Sequence, residues 1–233
     1  MDPSVSRPAA RTTGLLYLAM AIAGIPGVVV IRPMLFEPDD PVATMTLLVE
    51  NEALARAGIG FQLALVILQT LTALWFFRLL GRIDPFAAGA VTVFGTINAI
   101  AALSSAAGSA TALDAALGGD TAGAHLMHLL SGHLWGVAGI FFGLWLIPMG
   151  RLARPAGMPR ALGWTLVVGG VGYVVGTLAT YLAPGIGVVG TLLVVPATVG
   201  EFWIITLLLW FGFRRPSMPD LITAAADEAA ARP

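Results

Sequence analysis

Residues 57–78 read AGIGFQLALVILQTLTALWFFR, a run with no charged side chain before Arg78. A transmembrane helix needs about 20 consecutive, predominantly apolar residues, and this run supplies them. Residues 64–68 are uniformly apolar, whereas a strand of a transmembrane barrel alternates apolar with polar side chains. We therefore predict a membrane-spanning helix, because a lone strand cannot satisfy its backbone hydrogen bonds in lipid.

Five further apolar runs of similar length occur along the chain. Together they predict six spans, at residues 13–32, 57–78, 86–107, 126–149, 161–183 and 188–213. Short connections between spans favour antiparallel neighbours, so we predict an all-α, six-helix membrane bundle. The membrane domain covers residues 13–213, between an N-terminal segment at 1–12 and a tail at 214–233.

The composition agrees with a membrane protein and excludes several other classes. Of 233 residues, 58% are hydrophobic and 11% charged, against about 45–50% and about 25% in soluble domains. The formal charge of -1 provides no basic excess for nucleic acid, so the lipid bilayer is the expected partner. The chain has no cysteine, and it contains no phosphate loop, nucleophile elbow or dinucleotide fingerprint. We therefore predict no cofactor and assign no catalytic residue.

The twelve basic residues are all arginines, and their placement predicts the orientation. If the N-terminus is cytoplasmic, only Arg32 and Arg56 lie on the outer side, as the positive-inside rule requires. We predict that both termini are cytoplasmic. The first outer loop contains Asp39, Asp40 and Pro41 ahead of an amphipathic stretch at 42–56, which predicts a capped helix on the outer surface or over the bundle.

Four polar residues fall near the middle of the predicted spans: Gln69, Asn98, His133 and Glu201. A charge at this depth costs about 2.5–3.5 kcal/mol on insertion scales, so such side chains usually face a cavity or a partner. Pro196 predicts a kink that frees a backbone carbonyl close to Glu201. We predict a polar pocket that binds a small molecule, a proton or a lipid. The alternative is that Glu201 only fixes helix order, through a hydrogen bond to His133 or Asn98.

Arg32 and Arg56 also have two interpretations. Both could extend to the outer surface and pair with Glu37 or Glu52, since Glu52 and Arg56 are four residues apart on a helix. Otherwise they form an outer mouth for an anion, a carboxylate or a lipid headgroup.

Three histidines, His125, His128 and His133, lie within nine residues. On a helix His125 and His128 are about 60° apart, and His133 lies about 80° to the other side, so the three rings do not converge. We predict no metal site, and we place His125 and His128 at the outer headgroup level.

Two spans carry glycine at steps of three and four residues, which is typical of a close helix contact. The positions are Gly132, Gly136, Gly139 and Gly143 in the fourth span, and Gly169, Gly172 and Gly176 in the fifth. These faces predict packing within the bundle, with a homo-oligomer interface as the alternative.

Several short segments carry a resemblance to a known family. They are Gly-Leu-Leu-Tyr-Leu at 14–18, Ala-Gly-Ile at 23–25, Arg32, the Leu-Ala-Arg that ends at Arg56, His133 with Gly136, the Phe-Phe-Gly that ends at Gly143, Pro-Ala at 196–197 and Gly-Glu at 200–201. In their order and spacing, residues 14–213 resemble DUF4386, a bacterial multi-pass membrane family defined by a domain of unknown function. The resemblance implies a six-helix protein of the bacterial plasma membrane. Its pattern includes the histidine at 133 and the glutamate at 201, which favours the pocket, but neither His125 nor His128.

Three functions fit these observations. The first is a small transporter or channel-like protein whose ligand passes Arg32 and Arg56 and meets His133 and Glu201. The second is an intramembrane enzyme that acts on a lipid-like substrate, with His133 as base and Glu201 as acid or ligand. Its nucleophile would come from three serines: Ser104, Ser105 and Ser131. The third is a structural or sensory subunit of a membrane complex.

Overall fold

The computed structural model describes residues 6–183 and 193–213, and the regular structure in these ranges is entirely helical. The first helix, α1, runs from Arg7–Gly24 through a π-helical stretch, Ile25–Ile31, to a last turn, Arg32–Met34. The others are α2 Pro41–Glu50, α3 Glu52–Leu80, α4 Pro85–Leu117, α5 Thr121–Ala153, α6 Arg160–Leu182 and α7 Val195–Phe213. The first five residues, residues 188–192 of the predicted sixth span and the tail at 214–233 lie outside the described residues.

Six of these helices are long and apolar enough to cross a membrane, which confirms the predicted all-α, six-helix fold. The first four extend beyond the predicted limits at both ends, and α4 and α5 each contain 33 residues, about 50 Å at 1.5 Å per residue. Apolar composition identifies only the part in lipid, whereas aspartate side chains cap the starts of α4 and α5. Asp84 accepts a hydrogen bond from the Ala87 amide at 3.0 Å, and Asp120 accepts one from the Gly123 amide at 2.9 Å.

The spans form a closed ring in chain order, because each packs against the next and α7 returns to α1. Two hydrogen bonds show that neighbours run antiparallel. Thr13, near the start of α1, lies 3.4 Å from the Trp75 carbonyl oxygen near the end of α3, and the Thr92 hydroxyl donates to the Ala73 carbonyl at 3.1 Å. The ring follows from short connections between consecutive helices.

Antiparallel packing sorts the arginines between the two ends of the ring. One end, called here the arginine-rich end, carries Arg7, Arg11, Arg78, Arg82, Arg151, Arg154 and Arg160. The opposite end carries Arg32 and Arg56. The uneven distribution inferred from the sequence is therefore present in the fold, and the assignment of the arginine-rich end to the cytoplasm remains a prediction.

Large side chains fill the arginine-rich half of the ring. Tyr17 packs against Phe76 and Trp145, with ring centroids 5.8 and 5.4 Å away. These three residues, with Leu146 and Met149, are almost completely buried. A packed core therefore fills the interior of the ring in its arginine-rich half.

Helix α2 lies over the opposite end of the ring, where it packs on α4 and α5. It begins as predicted, because Asp40 accepts a hydrogen bond from the Ala43 amide at 2.9 Å and Pro41 occupies the first helical position. The predicted stretch at 42–56 is not one helix. Asn51 leaves the helical conformation, its side-chain amide donates to the Leu47 carbonyl at 2.9 Å, and α3 starts at Glu52.

The glycine faces are occupied within the chain. A side chain at Gly143 would meet the Gly170 carbonyl oxygen, so α5 and α6 touch backbone to backbone at this level. Gly139 faces Thr177 of α6, and Gly169 faces Ala197 of α7. These contacts agree with the packing interpretation of the glycine spacing.

Candidate functional site

Glu201 of α7 and Tyr17 of α1 form a hydrogen bond inside the membrane domain. The Tyr17 hydroxyl donates to Oε1 of Glu201 at 2.7 Å, and the tyrosine ring is held by Phe76 and Trp145. Tyr17 is the one hydrogen-bond partner of Glu201 among the residues that the structure describes. The second carboxyl oxygen therefore keeps its full capacity to accept hydrogen bonds.

Glu201 lines a cavity of about 250 Å³ between α1 and α7, called here the lateral cavity. Most of its lining is apolar. Ile25, Val29 and Phe202 border it and are 48%, 67% and 50% exposed. Because all three belong to membrane spans, exposed surface at these positions faces lipid, and the cavity opens sideways into the bilayer.

The π-helical stretch of α1 forms one wall of the lateral cavity, through Ile25, Val28 and Val29. Pro26 lies in this stretch and has no N–H to donate, so the α-helical hydrogen-bond ladder cannot continue unchanged through it. At Gly27 the helix lies close to α3, since a Cβ there would be 2.8 Å from that of Phe61. Single π-helical turns are frequent at functional sites.

A second cavity of about 120 Å³, called here the inner cavity, adjoins the lateral cavity. Gln69 and Asn98 line it, and both are buried. Nε2 of Gln69 has no hydrogen-bond partner within the described part of the chain. The two cavities share four lining residues: Met20, Leu65, Trp135 and Phe142. Three of the four predicted polar residues therefore border these two adjoining cavities, which together we call the chamber.

His133 lies elsewhere. It is exposed on α5, and its Nδ1 is 3.3 Å from the Tyr181 hydroxyl. The structure does not bring it to Glu201, and it lines neither cavity. On α5 the chamber is bordered by Trp135, Ala138 and Phe142, and His133 is about 200° around the helix from Trp135.

The predicted kink before Glu201 stays a prediction, because the carbonyl that Pro196 would free belongs to residue 192, which lies outside the described residues. Pro196 occupies the first turn of α7, where a missing N–H breaks no intrahelical hydrogen bond. The proline is therefore compatible with the start of α7 as the structure describes it.

The two outer arginines have different partners. Nε of Arg56 donates to Oε1 of Glu52 at 2.7 Å on the exposed surface of α3, which is the surface pair considered as one alternative. The Arg32 guanidinium turns inward and donates to the hydroxyls of Ser131 at 3.1 Å and Ser105 at 3.4 Å.

The remaining histidines lie beneath and beside α2. His125 Nδ1 is 3.3 Å from the Thr44 hydroxyl. His128 is buried and stacks on Phe36 with centroids 4.6 Å apart, and its predicted position at the headgroup level stays a prediction. Among the described residues, no three histidine, cysteine or acidic side chains are close enough to hold a metal ion.

These observations define a polytopic α-helical membrane protein with a chamber that reaches the lipid. A family model described as "Domain of unknown function (DUF4386)" matches residues 12–212. The chain belongs to the DUF4386 family, as the resemblance implied. No curated protein and no solved structure matches the chain.

Proposed function

We propose that the protein is a small transporter for an amphipathic molecule, which enters the lateral cavity from the bilayer and binds at Glu201. One observation carries this proposal: a carboxyl group lies at the polar end of an apolar cavity whose rim faces lipid. Ligand sites typically combine an apolar lining with a few polar groups that fix the ligand's orientation.

The hydrogen bonding of Glu201 indicates which headgroup the site accepts. The Tyr17 proton is already donated to one carboxyl oxygen, and the other oxygen accepts no hydrogen bond from a described residue. The site therefore offers the second carboxyl oxygen of Glu201, which carries negative charge, as a hydrogen-bond acceptor. An ammonium or hydroxyl headgroup supplies the matching donor, and a charge-assisted hydrogen bond is the stronger of the two.

The inner cavity contains a second group of polar side chains, on the far side of the four residues that line both cavities. Gln69 has an unused amide donor there, and Asn98 lies beside it. Toward the arginine-rich end the ring is filled by Phe76 and Trp145. Passage of a ligand past this core requires the helices to rearrange, which favours a carrier over an open channel.

The positions of the serines and of His133 favour transport over the enzymatic alternative. Ser105 and Ser131 bond to each other and to Arg32, away from the chamber lining. Ser104 is exposed and donates to the Ile100 carbonyl. Glu201 therefore has neither the histidine base nor a serine nucleophile beside it in the chamber.

Binding is tested with N-dansyl-1,8-diaminooctane, a fluorescent alkylamine with a free ammonium group, titrated into the protein in lipid nanodiscs. We expect Glu201→Gln to raise the dissociation constant at least tenfold, because the neutral amide loses the charge that binds the ammonium group. Glu52→Gln is the matched control, since Glu52 is exposed and pairs with Arg56. Equal affinity in wild type and Glu201→Gln would overturn the proposed site.

Transport is tested in proteoliposomes with the same amine. We expect time-dependent uptake by the wild-type protein and by Glu52→Gln, and uptake at the protein-free rate by Glu201→Gln. Binding without uptake by the wild-type protein would retain the site and reject the transport function.

A further inference from the structure

We propose a second ligand site, for a halide ion, between Arg32, Gln62 and His128 at the end of the ring beneath α2. It is separate from the chamber, and it does not rest on the proposed transport of an amine. The inference comes from an uncompensated positive charge, a cavity of matching size and buried polar atoms without partners.

The charge belongs to Arg32, which is always protonated in proteins. Within the part of the chain that the structure describes, its hydrogen bonds go only to the hydroxyls of Ser131 and Ser105, and no carboxylate forms an ion pair with it. Arg32 lies in the last turn of α1, where the helix dipole offsets roughly half an elementary charge. Arg32 is partly buried, and among the described residues the remainder of its charge has no counter-charge.

The serine hydroxyls bind Arg32 only as neutral acceptors. The Ser131 hydroxyl donates to the Ser105 carbonyl at 2.7 Å, and the Ser105 hydroxyl donates to the Ser131 carbonyl at 2.8 Å. Both protons are therefore used, which leaves the oxygen lone pairs for Arg32. The guanidinium group has five N–H donors, so this pair of bonds does not exhaust it.

Arg32 borders a cavity of about 20 Å³, together with Gln62, His128 and Ser109. A cavity needs about 10–15 Å³ on this scale to hold one water molecule, so the space accommodates one particle of that size. A halide ion is comparable in size to a water molecule.

Two side chains of this cavity are buried without hydrogen-bond partners. His128 is 5% exposed and neither ring nitrogen is bonded to a described residue. Gln62 is 4% exposed and its Oε1 is unpartnered. A histidine ring carries at least one N–H in either tautomer, and rotation of the Gln62 amide replaces its unpartnered oxygen with N–H donors. A halide would accept these bonds and also neutralise Arg32, whereas water would supply no charge.

The experiment is a bromide titration of the purified protein, with the midpoint of thermal unfolding as the readout. Sodium gluconate replaces bromide to hold the ionic strength constant. We expect the midpoint to rise with bromide in a saturable way, because a ligand that binds the folded state stabilises it. Gln62→Leu and His128→Phe should each raise the half-saturating bromide concentration at least tenfold, and the phenylalanine retains the stacking on Phe36.

Arg56→Gln is the matched control, because this arginine is exposed and bonded to Glu52. It should keep the wild-type bromide response, as should Glu201→Gln, which alters only the chamber. A response that is absent in the wild type, or unchanged in both cavity variants, would overturn the site and leave a water molecule as its occupant. A bromide peak in anomalous diffraction next to Arg32 is the direct confirmation, and a peak elsewhere only would contradict the proposal.

Discussion

Ser131 connects three helices through one hydroxyl group. The hydroxyl group donates to the Ser105 carbonyl of α4. Its oxygen accepts a hydrogen bond from Arg32 of α1 and lies 2.8 Å from the Ser109 hydroxyl. The residue is fully buried. Removal of this oxygen takes from Arg32 the shorter of its two hydrogen bonds and from Ser109 its hydroxyl partner, and buried polar groups that lose a partner are costly.

We predict that Ser131→Ala lowers the free energy of unfolding by about 1–3 kcal/mol, the range for a buried polar group that loses its partner. The measurement is denaturant unfolding in detergent micelles, followed by tryptophan fluorescence. Ser104→Ala is the control, since that hydroxyl is exposed and bonds only within its own helix. If the two variants unfold alike, the hydroxyl network contributes no stability.

At the scale of the helices, the contact between α5 and α6 depends on the absence of side chains. A Cβ at Gly163 would lie 2.7 Å from the Gly150 carbonyl oxygen, which is part of the backbone and cannot turn away. At Gly89 of α4, in contrast, a Cβ would meet nothing within 4 Å. The same substitution should therefore have opposite effects at these two positions.

We predict that Gly163→Ala destabilises the protein by about 1–3 kcal/mol, as overpacking of a tight contact does. Gly89→Ala should stabilise it by up to about 1 kcal/mol, because alanine restricts the unfolded chain and favours the helix. Thermal unfolding of the two variants side by side measures the difference. A similar loss in both would mean that the close approach of α5 to α6 is not formed.

The start of helix α2 depends on its N-cap residue, Asp40. Asp40 caps it by accepting from the Ala43 amide, and the helix has only 10 residues with which to offset the loss. We predict that Asp40→Ala costs about 0.5–2 kcal/mol, visible as faster amide hydrogen exchange over α2. Asp39→Ala, one residue earlier, should leave exchange unchanged, and equal protection in both variants would refute the role of the cap.

For the whole molecule, the ring places seven of the described arginines at one end, and the positive-inside rule then gives the orientation. The chain contains no cysteine, so single cysteines report on one position each. In intact bacterial cells, we predict that Asp39→Cys reacts with a membrane-impermeant maleimide and that Arg154→Cys reacts only after lysis. The reverse pattern would place the arginine-rich end outside.

Much of the fold was predictable from the sequence, because hydropathy identifies the spans and capping residues mark helix starts. Hydropathy also gives the depth of a polar residue, and this is why Gln69 and Asn98 were both expected near the middle of their spans. It does not give the direction in which a side chain points. His133 lies at a suitable depth but on the wrong side of α5, and the partner of Glu201 is instead Tyr17.

Other parts of the site could not be inferred because they depend on how the helices pack. Tyr17 stands in an apolar span, where an aromatic residue is indistinguishable from ordinary core. His128 stands near the predicted start of its span, and its burial results from Phe36, which belongs to the loop before α2.

The sideways opening of the lateral cavity determines which reservoir of solute the cavity samples. A molecule that reaches it from the hydrocarbon layer is present there at its mole fraction in lipid, which for an amphiphile greatly exceeds its concentration in water. Partitioning into the bilayer thus performs much of the capture before any contact with the protein. A pocket of modest intrinsic affinity is then sufficient, and its occupancy follows the ratio of solute to lipid in the bilayer more closely than the aqueous dose.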